Sequence, residues 1–421
     1  MVYMPTALAF DHPKVQRVIG RADVIVFQRN VIAQPVWDAM RYWRALGKLV
    51  LVDLDDMYSN IPASNPAFPW WAMNIQGLPI EPVESLKEGL KNADALISPS
   101  KVILGDWAHI VPGYWWPNYP SLLEYEKTRR KVPYGKDYLF GYEMEDDKPK
   151  LKAKEREGSE GQLVIGWGGS ISHVDSFWYS GVLPALGRIL KEYNHVVFKF
   201  CGNDDRVIKL LKDHISEGQL VIQPGVVPDD WPNVVGQFDI GIAPMDMRPV
   251  DTSTGTDIND HRSYDERRSW LKLAEYLIAG VPFVCTKCAP YDELSQFGIH
   301  IENGEENWYM ALKRTIDGYD GRYKMALDDM AYARRKLTAE ANAERLIALY
   351  NKIGEETQAR QGLKLPGVVY VDGKAPEGTK TVLEQAPEGA TAAPDAPQAA
   401  QNERKADLPT GDPYFVGRKP W

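Results

Sequence analysis

Tyr264–Pro282 reads YDERRSWLKLAEYLIAGVP. Helical spacing puts Trp270, Leu273, Ala274 and Leu277 on one apolar face. Arg268, Lys272 and Glu275 recur on the opposite side as one polar stripe. Two readings fit that stripe. Cations and free N–H groups at a helix start suit a diphosphate, and a carboxylate one turn on suits a ribose diol. An exposed helix face with a Lys272–Glu275 ion pair has the same pattern. Spacing alone leaves both open.

Outward from this segment, apolar β-branched runs alternate with amphipathic stretches, which predicts parallel sheets with crossover helices. In the second half the strand candidates are Leu163–Trp167, Val196–Cys201, Leu220–Gln223, Phe238–Ala243 and Pro282–Thr286, with helices over Trp178–Tyr193 and Ser269–Ala279. Charged, mostly helical stretches follow over Glu305–Tyr319 and Arg322–Ile353. In the first half the strands are Asp23–Gln28, Lys48–Asp53 and Ala95–Pro99, with a helix over Val36–Leu46. The expected fold is α/β, with two Rossmann-like doubly wound domains facing across a cleft and a disordered C-terminal tail. The expected divisions are a domain over 1–126, a charged linker over 127–161, a second domain over 162–335, a helix over 336–360 and the tail over 361–421. The tail is rich in Pro, Ala, Gly and Glu and repeats Ala-Pro-Glu-Gly, so it buries too little apolar surface to offset its chain entropy. Its aromatic end (Tyr414, Phe415, Trp421) is a possible docking peptide.

In open α/β sheets ligands bind beyond the carboxyl ends of the strands. The first strand of the second half runs into LVIGWGGSISHVD, Leu163–Asp175. Gly168 and Gly169 would let the backbone approach a ligand closely, and Ser170 or nearby N–H groups would meet a phosphate, although Gly-Gly after a strand is also a common tight turn. His173 in the same loop is either incidental or a donor to phosphate or sugar hydroxyls. Met245–Asp265 is rich in Asp, Thr and Gly, the composition of a closing loop. Its Asp251, Asp257 and Asp260 lack a calcium-loop spacing, and no metal is expected.

Lys272, Glu275, Tyr276, Gly280 and Pro282, ahead of an apolar strand and then Pro290-Tyr291, resemble the donor-site helix of GT-B glycosyltransferases, especially the large retaining family four. That resemblance implies that Glu275 binds the donor ribose. The family carries a second Glu eight positions earlier; here that position is Arg267, with Glu266 one step off. Phe200-Cys201-Gly202-Asn203 resembles the family's strand-then-glycine turn, which adds Asn203 to the donor contacts, and Phe238–Pro244 resembles the strand before the donor loop. Ala22–Asp56 resembles the acceptor domain, where a strand ends in an acidic turn. Asp53, Asp55 and Asp56 could instead be the metal-binding acidic motif of GT-A enzymes or a plain strand-end turn. The resemblance implies a nucleotide diphosphate sugar, UDP- or GDP-linked, as co-substrate. Arg268, Lys272, His173 and Asp55 are then the catalytic candidates: two cations for the leaving diphosphate and two possible bases. Asn65–Trp71 and Tyr114–Pro117 are aromatic loops that would either face an acceptor or seal the contact between domains.

A net charge of −9 argues against broad nucleic-acid binding, with a local exception at Lys127, Arg129, Arg130, Lys131 and Lys136. No run approaches the roughly 18 apolar residues of a membrane span. The N-terminus lacks a secretory pattern, and Cys201, Cys285 and Cys288 are too few for a disulfide scaffold. Cys285 and Cys288 are expected to be buried reduced thiols, in a cytoplasmic chain. G-x-G-x-x-G opening a first βαβ unit and G-x-x-x-x-G-K-[ST] are both missing, which disfavours a dehydrogenase or a P-loop kinase. A glycosyltransferase acting on a glycan, a protein or a modified DNA base is the leading expectation. A non-catalytic nucleotide-sugar-binding or assembly protein of the same fold is the alternative.

Overall fold

The computed structural model describes residues 12–361 apart from 66–67, 75–76, 127–128, 133–135, 146–147, 158–161, 170–172 and 250–262. The first sheet holds four parallel strands in chain order: β1 (Val24–Gln28), β2 (Leu49–Asp53), β3 (Ala95–Ser98) and β4 (Gly113–Trp115). Three antiparallel strands follow, β5 (Arg129–Val132), β6 (Lys136–Glu145) and β7 (Lys148–Glu157). The second parallel sheet comprises β8 (Leu163–Gly168), β9 (Val196–Cys201), β10 (Leu220–Gln223), β11 (Ile240–Ala243), β12 (Phe283–Thr286) and β13 (Ile299–Ile301). Its spatial order is β10-β9-β8-β11-β12-β13. The order reverses between β8 and β11, the switch point at which open α/β sheets leave a crevice.

Both sheets form for the reason their sequences suggest: apolar strands, fully buried at the centre of each sheet and partly exposed at its edges, are covered by amphipathic helices. On the first, the Gln34–Ala45 helix starts at a proline-containing turn and buries Val36, Trp37, Met40 and Trp43. On the second, the Val182–Glu192 helix buries Leu183, Leu186, Ile189 and Leu190 against Ile165, Trp167 and Phe198. The single helix expected over Trp178–Tyr193 is two, Val174–Tyr179 and Val182–Glu192. They break at Gly181, whose φ of 88° and closeness to the Glu305 backbone leave no room for a side chain.

The charged stretch 127–161, expected as an aperiodic linker, carries the antiparallel strands β5–β7 between the two parallel sheets. The expected C-terminal helix spans Ala343–Gln361 and crosses back to the first sheet. There Ile353 packs with Leu51, Ala95 and Ile97, Glu356 meets the Tyr114 hydroxyl, and Arg360 donates to Asp94 O at 3.2 Å. Residues 362–421, where the tail was expected, lie outside the described residues.

Several polar contacts join the two halves. Ser64 Oγ donates to Asp175 Oδ2 at 2.6 Å, and Lys101 Nζ meets Glu293 Oε1 at 2.5 Å. Arg267 is wholly buried, and its Nε donates to Asp106 Oδ2 at 2.8 Å while Nη1 donates to Ser263 O at 3.1 Å. The residue that departs from the family motif is therefore a buried strut between the domains. Breaking a buried ion pair leaves an uncompensated charge and costs about 3–5 kcal/mol. Arg267→Ala should lower the urea midpoint accordingly, and Arg267→Glu, which sets two carboxylates together, should lower it further. Midpoints equal to that of the unaltered chain would show the strut contributes nothing.

Candidate functional site

The Leu271–Ile278 helix is shorter than expected, because Trp270 is its N-cap and Arg268 is extended, with φ −85° and ψ −179°. Arg268 therefore does not share a helix face with Lys272 and Glu275, which alone lie on the helix three residues apart. The buried face is as expected, with Leu273, Ala274 and Leu277 in the core and Trp270 buried at the cap.

Asp265, one turn earlier, aims Arg268. Its carboxylate is 2% exposed and takes the Arg268 Nε–H at 2.7 Å on one oxygen. On the other it takes the Ser176 hydroxyl at 2.5 Å and the Asp246 N–H at 2.6 Å. One buried acid thus ties the Val174–Tyr179 helix, the loop after β11 and the guanidinium together. Across the cleft Asp56, just beyond β2, lies 3.7 Å from Arg268 Nη1, so the acidic turn faces the second domain. Burial opposes the Arg268 charge, but Asp56, Asp265 and Tyr264 outweigh it and raise its pKa.

His173 stands against the same guanidinium, with Arg268 Nη1 and His173 Nε2 3.0 Å apart. An arginine only donates, so Nε2 must accept and the ring proton sits on Nδ1. Nδ1 is buried and has no partner among the described residues. Burial, then Arg268 and Lys272, hold the imidazole well below its usual pKa. Of the two roles expected for His173, this arrangement equips it as a neutral donor through Nδ1; its basic nitrogen is taken.

Lys272 Nζ donates to Gly168 O at 2.6 Å, tying the helix to the end of β8. Lys272 and Glu275 keep some surface, yet their charged ends are enclosed. Burial brings the ammonium down to about 8 and pushes the Glu275 carboxyl up to about 7. Trp231 and Tyr125 approach that carboxylate and favour its charged form, although Tyr125 Oη makes no well-aligned hydrogen bond.

The glycines play a different part from the one expected. A Cβ on Gly168 would lie 2.2 Å from the Trp231 ring, and one on Gly169 would lie 2.6 Å from Trp167. Both positions are therefore needed for aromatic packing, and at Gly168 the close approach is filled by an indole rather than left open. Asn203 Oδ1 accepts from Gly225 N at 2.8 Å and clamps the loops after β9 and β10. Ser170 and Asp251, Asp257 and Asp260 lie outside the described residues.

Asp55 Oδ2 accepts from Arg29 Nη2 at 2.5 Å, and its Oδ1 is buried without a partner among the described residues. Burial, then Asp56, raise its pKa. Arg29 sits at φ 65°, a left-handed conformation costly for a non-glycine residue. Of the aromatic loops, Trp71 is buried and stacks on Tyr58 at 4.3 Å, whereas Trp116, Tyr119 and Trp270 form an edge-to-face chain across the domain contact. Cys201, Cys285 and Cys288 are buried free thiols. Among the described residues no cluster of metal-ligating side chains was found, and no helix is long and apolar enough to cross a membrane.

Arg29, Tyr125, Trp231 and Asp265 escaped the sequence reading. Asp265 was legible as an acid three residues before Arg268; the other three reach the site only through the fold.

Paired parallel sheets facing across a cleft, with the chain returning to the first through its last helix, define the GT-B class of fold. The chain resembles the crystal structure of TarM with a TM-score of 0.50 and 11% identity over 80% of this chain and 57% of TarM. It thus spans little more than half of TarM's length. Sucrose-phosphate synthase from Thermosynechococcus elongatus aligns with a TM-score of 0.49 at 11% identity, covering 84% of this chain and 80% of that one. HepE of Anabaena, in complex with UDP-glucose, aligns with a TM-score of 0.48 at 11% identity, covering 83% and 82%. No family model and no curated protein sequence matches the chain.

Because the folded chain resists protonating His173 while the unfolded chain protonates it near pH 6.5, His173 costs stability as pH falls below that value. The slope is at most about 1.4 kcal/mol per pH unit. His173→Gln should remove this part of the acid sensitivity in unfolding curves measured at pH 5 and pH 7; an unchanged difference between the two pH values would contradict a neutral imidazole.

Proposed function

We propose that the chain is a glycosyltransferase that takes its sugar from a nucleoside diphosphate donor, UDP- or GDP-linked, bound by the domain of residues 162–335. The carrying observation is the meeting of Arg268, Lys272 and Glu275 at the carboxyl edge of the second sheet, opposite Asp56. Lys272 and Arg268 compensate the charge that develops on the departing diphosphate, and their preset positions avoid reorganisation at that moment. Glu275 accepts from the ribose hydroxyls, and the His173 Nδ1–H donates to a phosphate or sugar oxygen. In the transfer an acceptor hydroxyl oxygen bonds to the anomeric carbon as the bond from that carbon to the phosphate oxygen breaks. On a retaining course the acceptor proton passes to the leaving phosphate, yielding a nucleoside diphosphate. On an inverting course Asp55, its buried Oδ1 without a hydrogen-bond partner among the described residues and its pKa raised, is the better placed base of the two candidates. The non-catalytic alternative has two features behind it, Arg267 and the long tail; the buried Asp106 pair accounts for Arg267 on structural grounds.

Losing a charge-assisted phosphate contact costs on the order of 2–3 kcal/mol at the transition state, or roughly 30- to 150-fold in rate. Lys272→Ala and Glu275→Ala should each lose most transfer or donor hydrolysis and keep a cooperative unfolding transition. Unaltered turnover in both variants would remove the donor assignment.

The two titrations set a pH window. Glu275 takes a proton as pH falls through about 7 and then ceases to be a pure acceptor, while Lys272 loses its charge as pH rises through about 8. Affinity for UDP or GDP, followed by calorimetric titration, should peak between those values and fall on both sides. A flat profile would argue against contact with either group.

A further inference from the structure

Beside the cluster around Arg268 an opening of about 150 Å³ lies between the domains. Ser100, Lys101 and Trp115 form its first-domain wall, and Glu266, Trp270 and Glu293 form its second-domain wall. Arg268 lines it too, so it adjoins the site assigned to the departing diphosphate.

The chemistry of its lining is specific. Trp115 is partly exposed, with its Nε1–H committed to Pro99 O at 3.1 Å and its ring covered on one side by Lys101 Nζ at 4.4 Å from the centroid. Lys101 is ion-paired with Glu293 across the domain boundary, and Trp270 Nε1 points to the same carboxylate at 3.4 Å. Glu266 uses one oxygen to accept from the Ser263 N–H at 2.7 Å. The four formal charges lining the opening, Lys101, Arg268, Glu266 and Glu293, cancel. A polyanion such as DNA would meet two carboxylates for every two cations and gain little. A ligand with one apolar face and several hydroxyls would find an indole for the face and carboxylates for the rest.

We propose that this opening is the acceptor subsite and takes a neutral pyranoside, seated against Trp115 with its hydroxyls on Glu293 and Glu266. The word acceptor rests on the donor reading above; binding of the pyranoside does not. The Lys101–Glu293 pair then spans the subsite in the free protein, and the sugar hydroxyls compete for Glu293. The hydroxyl turned toward Arg268 is the one that attacks the donor's anomeric carbon.

The test uses the full chain, alone and with UDP or GDP. The probes are methyl α-glucopyranoside, methyl α-galactopyranoside and N-acetylglucosamine, set against glucuronate, a thymidine dinucleotide and a serine-containing peptide. Binding is followed by saturation-transfer NMR and tryptophan fluorescence. At least one neutral pyranoside should bind saturably, and Trp115→Leu and Glu293→Ala should each weaken it about tenfold, the loss of one good contact. Affinity for the nucleoside diphosphate should be unchanged in both variants. The proposal is overturned if no neutral pyranoside binds a protein that does bind the nucleotide, if both variants bind as the unaltered chain does, or if only the dinucleotide or the peptide binds. Pyranoside binding without any nucleotide binding would sink the donor reading and leave this one standing.

Discussion

The Asp265 carboxylate is the constraint on which the cleft depends. An isolated buried acid pays a large desolvation cost, and here that cost is met by a hydroxyl, a backbone N–H and a guanidinium drawn from three separate segments. Burial raises its pKa while Arg268, Ser176 and the Asp246 N–H pull it back, so the ionised state depends on all three partners staying in place. Removing any one leaves the carboxylate short of a bond in a low-dielectric setting, where the penalty is greatest. The Val174–Tyr179 helix and the loop after β11 therefore hold a common geometry, and Arg268 is aimed before any ligand arrives.

The domain contact is built differently. Arg267 and Asp106 are buried, whereas Lys101 and Glu293 are 64% and 37% exposed in their side chains, and such an exposed pair is weak in water. The buried pair sits at the foot of the Lys101–Trp107 helix and the exposed one at its start, so a single helix of the first domain carries both. Small motions of the cleft are best accommodated at the exposed end, where an ion pair exchanges for water at little cost.

Most strands of the two parallel sheets were legible because they carry apolar runs rich in β-branched and aromatic residues, as in DVIVFQ and VVFKFC. β4 and β13 were not, since three residues are too short for any periodicity to register. β6 and β7 do carry a period of two, with Tyr138, Phe140, Tyr142 and Met144 on one strand and Lys148, Lys150, Lys152 and Lys154 on the next, hidden by the high charge of the stretch. In the site, Lys272 and Glu275 were readable from helical spacing. Arg268 was placed on the wrong element, because Ser269 and Trp270 delay the helix by two residues. Gly168 and Gly169 looked like room for a ligand, but sequence does not show that two indoles already fill that room.

Charge matching has a consequence for ligand entry. Arg268 is matched by Asp265 and Asp56, Lys272 by Glu275, Arg29 by Asp55 and Arg248 by Asp246. A diphosphate entering so balanced a site gains little unless an acid gives way. Asp265 cannot withdraw without stranding two other donors, and Glu275 is needed for the ribose. Asp56, at 3.7 Å the loosest partner and the one on the opposite domain, is the acid that a phosphate can displace at least cost. On the proposed function, donor occupancy and the spacing of the two domains are therefore coupled through one guanidinium, with Arg268 turning from a carboxylate of the first domain to the ligand held by the second.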